Sequence, residues 1–130
     1  MEYSTTQQRI AAIGHQPVLK KSTFVFALAI FGVFSALAGI ISLATAIMIP
    51  SDASLWTDAV YEFSLAAVIF ASSRAFTQGK ILSVWLYGGS ILLDTLYNLA
   101  TGNPLNYLFI AYGLLLVWQI LTFRNRLELV

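Results

Sequence analysis

The sequence predicts an all-α fold: an integral membrane four-helix up-down-up-down bundle with both termini cytoplasmic. Two observations predict this class. Of the 130 residues, 58% are hydrophobic and only 10% are charged, whereas a soluble domain carries about 25% charged residues. The apolar residues also form four long runs, at 23–49, 55–76, 81–100 and 107–123. A helix that crosses a bilayer needs roughly 17–25 such residues, so each run is predicted to span it.

Residues 1–22 precede the first apolar run and are predicted to form a cytoplasmic tail. Ser4 and Gln7 have the spacing of a capping box, and Gly14 fits the end of a helix. The tail therefore holds either a short helix at the membrane surface, at about residues 4–16, or a frayed segment. The four-helix domain is predicted to follow, over residues 23–130.

The first run carries a seam of small residues at spacings of three and four. Its members are Gly32, Ser35, Gly39, Ser42 and Ala46. Small residues let helix backbones approach closely, and helices in lipid associate through such packing. We expect the seam to contact another helix of the same chain, with a helix of a partner as the alternative.

The remaining runs are separated by short polar connections. Pro50 begins the first connection, Gly79 lies in the second, and Gly102 lies in the third. Glycine and proline are the residues that most often interrupt helices and form turns. Because connections this short make consecutive helices antiparallel neighbours, the four runs are predicted to alternate in direction.

The basic residues predict the orientation. All of them lie in the N-terminal tail, around the second connection or in the C-terminal tail: Arg9, Lys20, Lys21, Arg74, Lys80, Arg124 and Arg126. The first and third connections contain none. Short loops that carry lysine and arginine stay on the cytoplasmic side of a membrane, which places both termini inside.

Two carboxylates interrupt the apolar runs at matching positions. Glu62 precedes the second connection by the same distance that Asp94 follows it, because their midpoint is Gln78. In an antiparallel hairpin the two side chains therefore lie at nearly the same depth. Folding the other hairpins in the same way brings Tyr112 near Asp94.

The same symmetry brings Ser42 and Thr45 of the first run near Glu62. On the third run, Tyr97 and Asn98 follow Asp94 on one helical face, at offsets of three and four residues. Glu62, Asp94, Tyr97, Asn98 and Tyr112 are thus the candidate intramembrane polar site.

The role of that polar site stays open between two interpretations. No lysine or arginine lies at the depth of Asp94, so a positive partner would have to come from another protein. Two neighbouring carboxylates are suited to binding a proton or a cation. Hydrogen bonds between helices would serve a purely structural role with the same residues.

Several chemistries are excluded by composition. The chain has no cysteine, and its single histidine, His15, lies in the tail. Thiol chemistry, cysteine-ligated clusters and a bis-histidine haem within one chain are therefore excluded. No serine or threonine has a lysine or histidine base at its depth. We expect no catalytic residue, no metal site, no cofactor and no nucleic-acid partner, and the chain is not predicted to be an enzyme.

The leading functional hypothesis is a small accessory subunit that packs into, stabilises or regulates a larger membrane protein complex. The alternative is an oligomeric proton- or cation-coupled transporter that uses Glu62 and Asp94. A third hypothesis, a pigment- or quinone-binding subunit, requires an apolar cleft lined by Trp85, Tyr87 or Trp118. The expected partners are membrane lipids and other membrane subunits or further copies of the chain. The expected location is a bacterial inner membrane or an equivalent energy-transducing membrane.

Overall fold

Four α-helices account for most of the residues that the structure describes. A computed structural model describes residues 20–125 and 127–130. Over these ranges it contains no strand, and its helices are α1 (Lys21–Met48), α2 (Ala53–Thr77), α3 (Leu82–Thr101) and α4 (Tyr107–Thr122). The predicted all-α class is confirmed. The helix predicted at 4–16 lies outside the described residues.

Local chemistry marks where the helices begin and end. The Asp52 side chain accepts a hydrogen bond from the Ser54 backbone N–H at 3.0 Å and caps α2. Asn106 caps α4 in the same way, through the Phe109 N–H at 3.2 Å. The α3 C-cap is Gly102, with φ of 72°, a left-handed conformation that favours glycine.

Contacts between α2 and α3 show that these helices run antiparallel. The Tyr61 hydroxyl donates to Asp94, and the Ser72 hydroxyl donates to the Ser83 carbonyl oxygen at 2.7 Å. In each pair the midpoint of the two residue numbers falls between 77 and 78, so both pairs are symmetric about the connection between α2 and α3. Glu62 and Asp94 were expected to share a depth on the basis of this symmetry.

The small-residue seam of α1 packs against α2 of the same chain. A Cβ added at Gly32 would lie 3.0 Å from the Ile69 side chain, and one added at Gly39 would lie 3.1 Å from the Phe63 ring. Ser35 and Ala46 are buried with the glycines, whereas Ser42 is half-buried. The backbones of α1 and α2 therefore approach closely along the seam.

Helix α4 closes the arrangement against α1 and α3. The Tyr112 hydroxyl donates to the Ala27 carbonyl oxygen of α1 at 2.9 Å. On the other side, a Cβ added at Gly113 would overlap the Ile91 side chain of α3. Neighbouring residues of α4 thus face two different helices, since successive residues of an α-helix point about 100° apart.

The C-terminal residues fold back onto the connection between α2 and α3. The Val130 N–H donates to the Gly79 carbonyl oxygen at 2.8 Å, and the Ile81 N–H donates to the Val130 carbonyl oxygen at 2.9 Å. Leu127 is only 2% exposed and joins the apolar core. This contact covers one end of the core and was not predicted from the sequence.

Large apolar side chains are exposed on every helix. They include Phe26, Phe34, Ile41, Val60, Phe70, Trp85, Leu92, Leu99, Leu108, Leu114 and Trp118. Helices α1 and α2 are long and apolar enough to cross a membrane. Helix α3 has the length, with 20 residues, but it is not among the helices that are apolar enough to span a membrane. Helix α4 has 16 residues, which is below the roughly 17–25 of a typical span, so only two of the four predicted spans meet both criteria.

Candidate functional site

The two ends of the helices carry opposite charges. The acidic end holds the connections at 49–52 and 102–106, and the basic end holds the connection at 78–81. The described lysines and arginines all lie toward the basic end: Lys20, Lys21, Arg74, Lys80 and Arg124. Among the described acids, only Glu128 lies there, and the others lie in the acidic half of the molecule: Asp52, Asp58, Glu62 and Asp94.

Two tyrosine–aspartate pairs join α2 to α3 in the acidic half. Tyr61 of α2 donates its hydroxyl hydrogen bond to Asp94 of α3, and Tyr97 of α3 donates to Asp58 of α2. The two tyrosine rings stack face to face, with centroids 3.7 Å apart and planes inclined by 6°. We call these four residues the α2–α3 clasp. Each helix supplies one donor and one acceptor, so the two pairs are reciprocal.

The reciprocal geometry has a simple origin in the sequence. Residues 58–62 read DAVYE and residues 94–98 read DTLYN, so each helix carries aspartate and tyrosine three positions apart. That spacing places both side chains on one helical face. When the helices run antiparallel, each tyrosine meets the aspartate of the other helix. This short repeat is the signal that identifies the clasp, and the sequence analysis did not use it.

Asp94 is almost fully enclosed, with 6% of its surface exposed. A buried carboxylate without hydrogen-bond donors is costly. Tyr61 supplies one donor, and the Asn98 side-chain amide supplies a longer one at 3.4 Å. Neutral donors of the same chain therefore meet the Asp94 carboxylate.

A small cavity lies beside the clasp, where all four helices converge. Its volume is about 70 Å³, which is several times what a single water molecule needs. Its polar walls are Ser35 of α1, Glu62 of α2, Asp94 of α3 and Asn106 at the start of α4, and its apolar walls are Phe31, Leu65 and Phe109. The structure thus brings Glu62 and Asp94 to one small, partly open cavity.

The first turn of α4 contributes to the electrostatics of this cavity. Asn106 and Phe109, which belong to that turn, are among its walls. The N-terminus of a helix carries a partial positive charge that favours nearby anions. Helix α4 therefore provides partial compensation for the Glu62 and Asp94 carboxylates, in a half of the molecule where the described residues include no lysine or arginine.

Tyr112, which hairpin symmetry placed near Asp94, makes its hydrogen bond to α1. Its hydroxyl bonds to Ala27, and its ring lies 5.0 Å from the Phe31 ring of α1. The predicted depth was reasonable, because Gly113 faces Ile91 of α3. The predicted direction of the Tyr112 side chain was wrong, because Gly113 faces α3 whereas Tyr112 faces α1.

The expected neighbours of Glu62 on α1 also differ. Ser35, rather than Ser42, shares the cavity with Glu62. The Thr45 hydroxyl donates to the Ile41 carbonyl oxygen of its own helix at 2.8 Å. Symmetry about the connection predicts only the approximate depth of a residue. Which α1 side chain lies beside Glu62 depends also on the angle at which the two helices cross.

Three residues of the site were missed by the sequence analysis: Asp58, Tyr61 and Asn106. Asp58 and Asn106 lie near helix starts, where such residues usually serve as caps. Glu62 was chosen as a site residue because of its charge. Its neighbour Tyr61 is the residue that contacts Asp94.

Comparison of the chain with protein-family models, with curated proteins and with solved structures finds no match. The role of the clasp and of the cavity is therefore inferred from their own geometry and from the surfaces that surround them.

Proposed function

We propose that this protein is a small integral membrane subunit that packs into and stabilises a larger membrane complex. In this proposal all four helices cross the bilayer in alternating directions, with both termini in the cytoplasm. The exposed apolar side chains on every helix support the placement. The basic residues at one end support the orientation, because such residues stay on the cytoplasmic side.

The observation that carries the proposal is the α2–α3 clasp. Its two aspartates accept hydrogen bonds from tyrosines of the same chain. A carboxylate that accepts a hydrogen bond from a neighbouring helix holds that helix in place. The acidic residues of the clasp thus have a structural role, as expected of a subunit that supplies a stable surface to its neighbours.

A cleft at the acidic end of α2 offers a contact for a partner subunit. It is shallow and open, and it is lined by Trp56, Thr57, Val60 and Tyr61 of that one helix. Tryptophan and tyrosine are enriched at protein interfaces, and tryptophan is among the residues that contribute most to binding. Because Tyr61 also belongs to the clasp, a partner in this cleft would contact the side chain that holds α2 to α3.

The test is the mass and composition of the particle that a mild detergent releases from native membranes. We expect this chain to co-purify with larger, different subunits at a fixed ratio. Trp56→Ala should reduce that recovery at least fivefold. Trp118→Ala is the matched control, because Trp118 is 60% exposed on α4 and lies outside the cleft.

A uniform dimer or tetramer of this chain alone would contradict the proposal. Equal recovery of the complex with Trp56→Ala and Trp118→Ala would support the complex but would show that the cleft is not its contact surface.

A second candidate function, a proton- or cation-coupled transporter, is favoured by the cavity. Glu62 and Asp94 both line it, and Glu62 is not part of the clasp. Two neighbouring carboxylates are suited to binding a proton or a cation. A site of that kind exchanges protons or small cations more easily than an isolated aspartate in a hydrogen-bonded pair.

Purified protein in sealed vesicles distinguishes the two candidates. A transporter would show pH-driven flux that Glu62→Gln abolishes while the helical content is unchanged. Glu128→Gln, at the basic end, is the matched control for loss of a carboxylate. For the accessory subunit we expect no flux from the wild-type protein and normal assembly of the Glu62→Gln variant.

A further inference from the structure

An apolar groove lies on the outside of the protein between α3 and α4. Its volume is about 670 Å³, and its walls are Ile81, Val84, Trp85, Gly88, Gly89, Leu92, Val117, Leu121 and Arg124. A Cβ added at Gly88 or Gly89 would meet no atom within 4 Å. The glycine pair therefore leaves space in the groove rather than filling a close helix contact.

The length of the groove matches one leaflet of a bilayer. At about 1.5 Å per residue, the wall from Ile81 to Leu92 is about 16 Å long. The hydrocarbon core of a membrane is about 30 Å thick, so this wall reaches from the basic end roughly to the midplane.

The positive charge at the basic end of the groove indicates that its occupant carries a negative charge. Arg124 is exposed and is the only charged residue among the walls. Lys80 immediately precedes the wall residue Ile81. A guanidinium group binds phosphate oxygens through paired, charge-assisted hydrogen bonds. The groove thus combines an apolar channel of one-leaflet length with an anion-binding group at the depth of the headgroups.

We propose that this groove binds one anionic phospholipid of the leaflet at the basic end. An acyl chain lies along Trp85 and the glycine pair, and the phosphate group contacts Arg124. The inference rests on the membrane placement proposed above, and it goes beyond that proposal by assigning a ligand and a site. Among the aromatic residues expected to line an apolar cleft, Trp85 does so, whereas Tyr87 is buried in the core and Trp118 is not among the walls.

A second copy of the chain fits the groove less well than a lipid. In the same orientation, a second copy would present its own basic end to Arg124, and like charges would repel. Among the described acids only Glu128 lies at that end. A phospholipid supplies the negative charge and the apolar chain together.

The test measures lipid retention by mass spectrometry of the intact protein released from micelles. The purified chain is incubated with phosphatidylglycerol or with phosphatidylcholine of the same acyl chains. We expect one retained phosphatidylglycerol, with at least a tenfold preference over phosphatidylcholine. Arg124→Gln should abolish the preference, and Gly88→Leu, which fills the groove, should abolish retention of both lipids.

Two variants control for nonspecific effects. Arg74→Gln removes a positive charge at the basic end outside the groove, and Ala67→Leu places the same leucine side chain at an exposed position of α2. Both should retain phosphatidylglycerol as the wild type does. Equal retention of the two lipids by the wild-type protein, or equal loss in the control and groove variants, would overturn the proposal. A dimer that Gly88→Leu converts to a monomer would also overturn it and make a second copy the occupant.

Alkaline carbonate extraction of the membranes separates this inference from the placement on which it rests. Release of the chain into the soluble fraction would overturn the membrane placement itself. Retention in the membrane together with loss of the lipid preference would overturn the lipid site alone.

Discussion

The acidic half and the basic half of the molecule are held together by different interactions. In the acidic half, α2 and α3 are joined by hydrogen bonds of the clasp, beside a polar cavity. In the basic half, fully buried apolar side chains fill the space between the helices. Phe24 and Phe76 are both completely enclosed, with ring centroids 5.8 Å apart.

Two serines of α2 in the basic half donate to backbone of neighbouring helices, whereas the buried Ser83 and Tyr87 hydroxyls and the Gln119 side-chain oxygen have no hydrogen-bond partner within the described residues. Ser73 of α2 donates to the Val25 carbonyl oxygen of α1 at 3.1 Å, and Ser72 bonds to the backbone of α3. Side-chain hydrogen bonds within membranes contribute on average about 0.6 kcal/mol, whereas loss of a large buried side chain costs about 3–5 kcal/mol. The basic half should therefore supply most of the stability, and the acidic half should determine which faces of α2 and α3 meet.

The largest effect is expected from Phe76→Ala in the basic half. The substitution removes a ring that is completely enclosed against Phe24. It should lower the free energy of unfolding by about 3–5 kcal/mol, measured by denaturant titration in mild detergent. Phe26→Ala is the control, because Phe26 is 65% exposed on α1. A loss for Phe76→Ala no larger than the loss for Phe26→Ala would mean that this half is not the main source of stability.

A smaller loss is expected from Tyr61→Phe in the acidic half. The ring and its stacking on Tyr97 remain, but the buried Asp94 loses its closest donor. The expected cost is about 1–2 kcal/mol in the same titration. Tyr107→Phe, at a tyrosine that is 73% exposed, should change nothing. A cost for Tyr61→Phe above that of Phe76→Ala would reverse the ranking of the two halves.

Tyr97→Phe should cost less than Tyr61→Phe. It removes the other hydrogen bond of the clasp, but its acceptor Asp58 is only half-buried and can be reached by water. We expect about 0.5–1 kcal/mol. Equal costs for the two variants would show that the clasp acts as one unit rather than as two pairs with different burial.

The smallest effect on stability is expected from Glu62→Gln. Glu62 lines the cavity but takes no part in the clasp, and glutamine keeps its length and hydrogen-bonding ability. The free energy of unfolding should change by less than about 0.5 kcal/mol. A loss comparable to that of Tyr61→Phe would place Glu62 among the residues that hold the helices together.

The sequence was a good guide to the helices and to the depth of the polar residues. The four apolar runs differ from the observed helices by at most two residues at either end, because polar connections interrupt each run. Glu62 and Asp94 share one cavity, as their symmetry about the second connection suggested. Depth along a helix can be counted in residues, so this part of the site could be predicted from the sequence.

The direction of each side chain around its helix was harder to predict. Tyr112 was placed at a suitable depth but faces α1, and Tyr61 was not recognised as the partner of Asp94. Apolar runs that are hydrophobic on all sides do not indicate which face meets which neighbour. The C-terminal contact at Val130 is made by backbone groups, which leave no pattern in the side chains.

Under the proposed membrane placement, the reciprocal clasp also affects how the protein enters the bilayer. Asp58 and Asp94 would each be costly in a helix inserted alone, but each finds its hydrogen-bond donor on the adjacent helix of the same hairpin. We therefore expect α2 and α3 to leave the translocation machinery together, as a paired unit, after α1. Truncating the nascent chain before residue 94 should leave α2 accessible to the aqueous phase, and extending it beyond residue 101 should remove that accessibility. The chemistry that holds two folded helices together would then also control the order of their membrane integration.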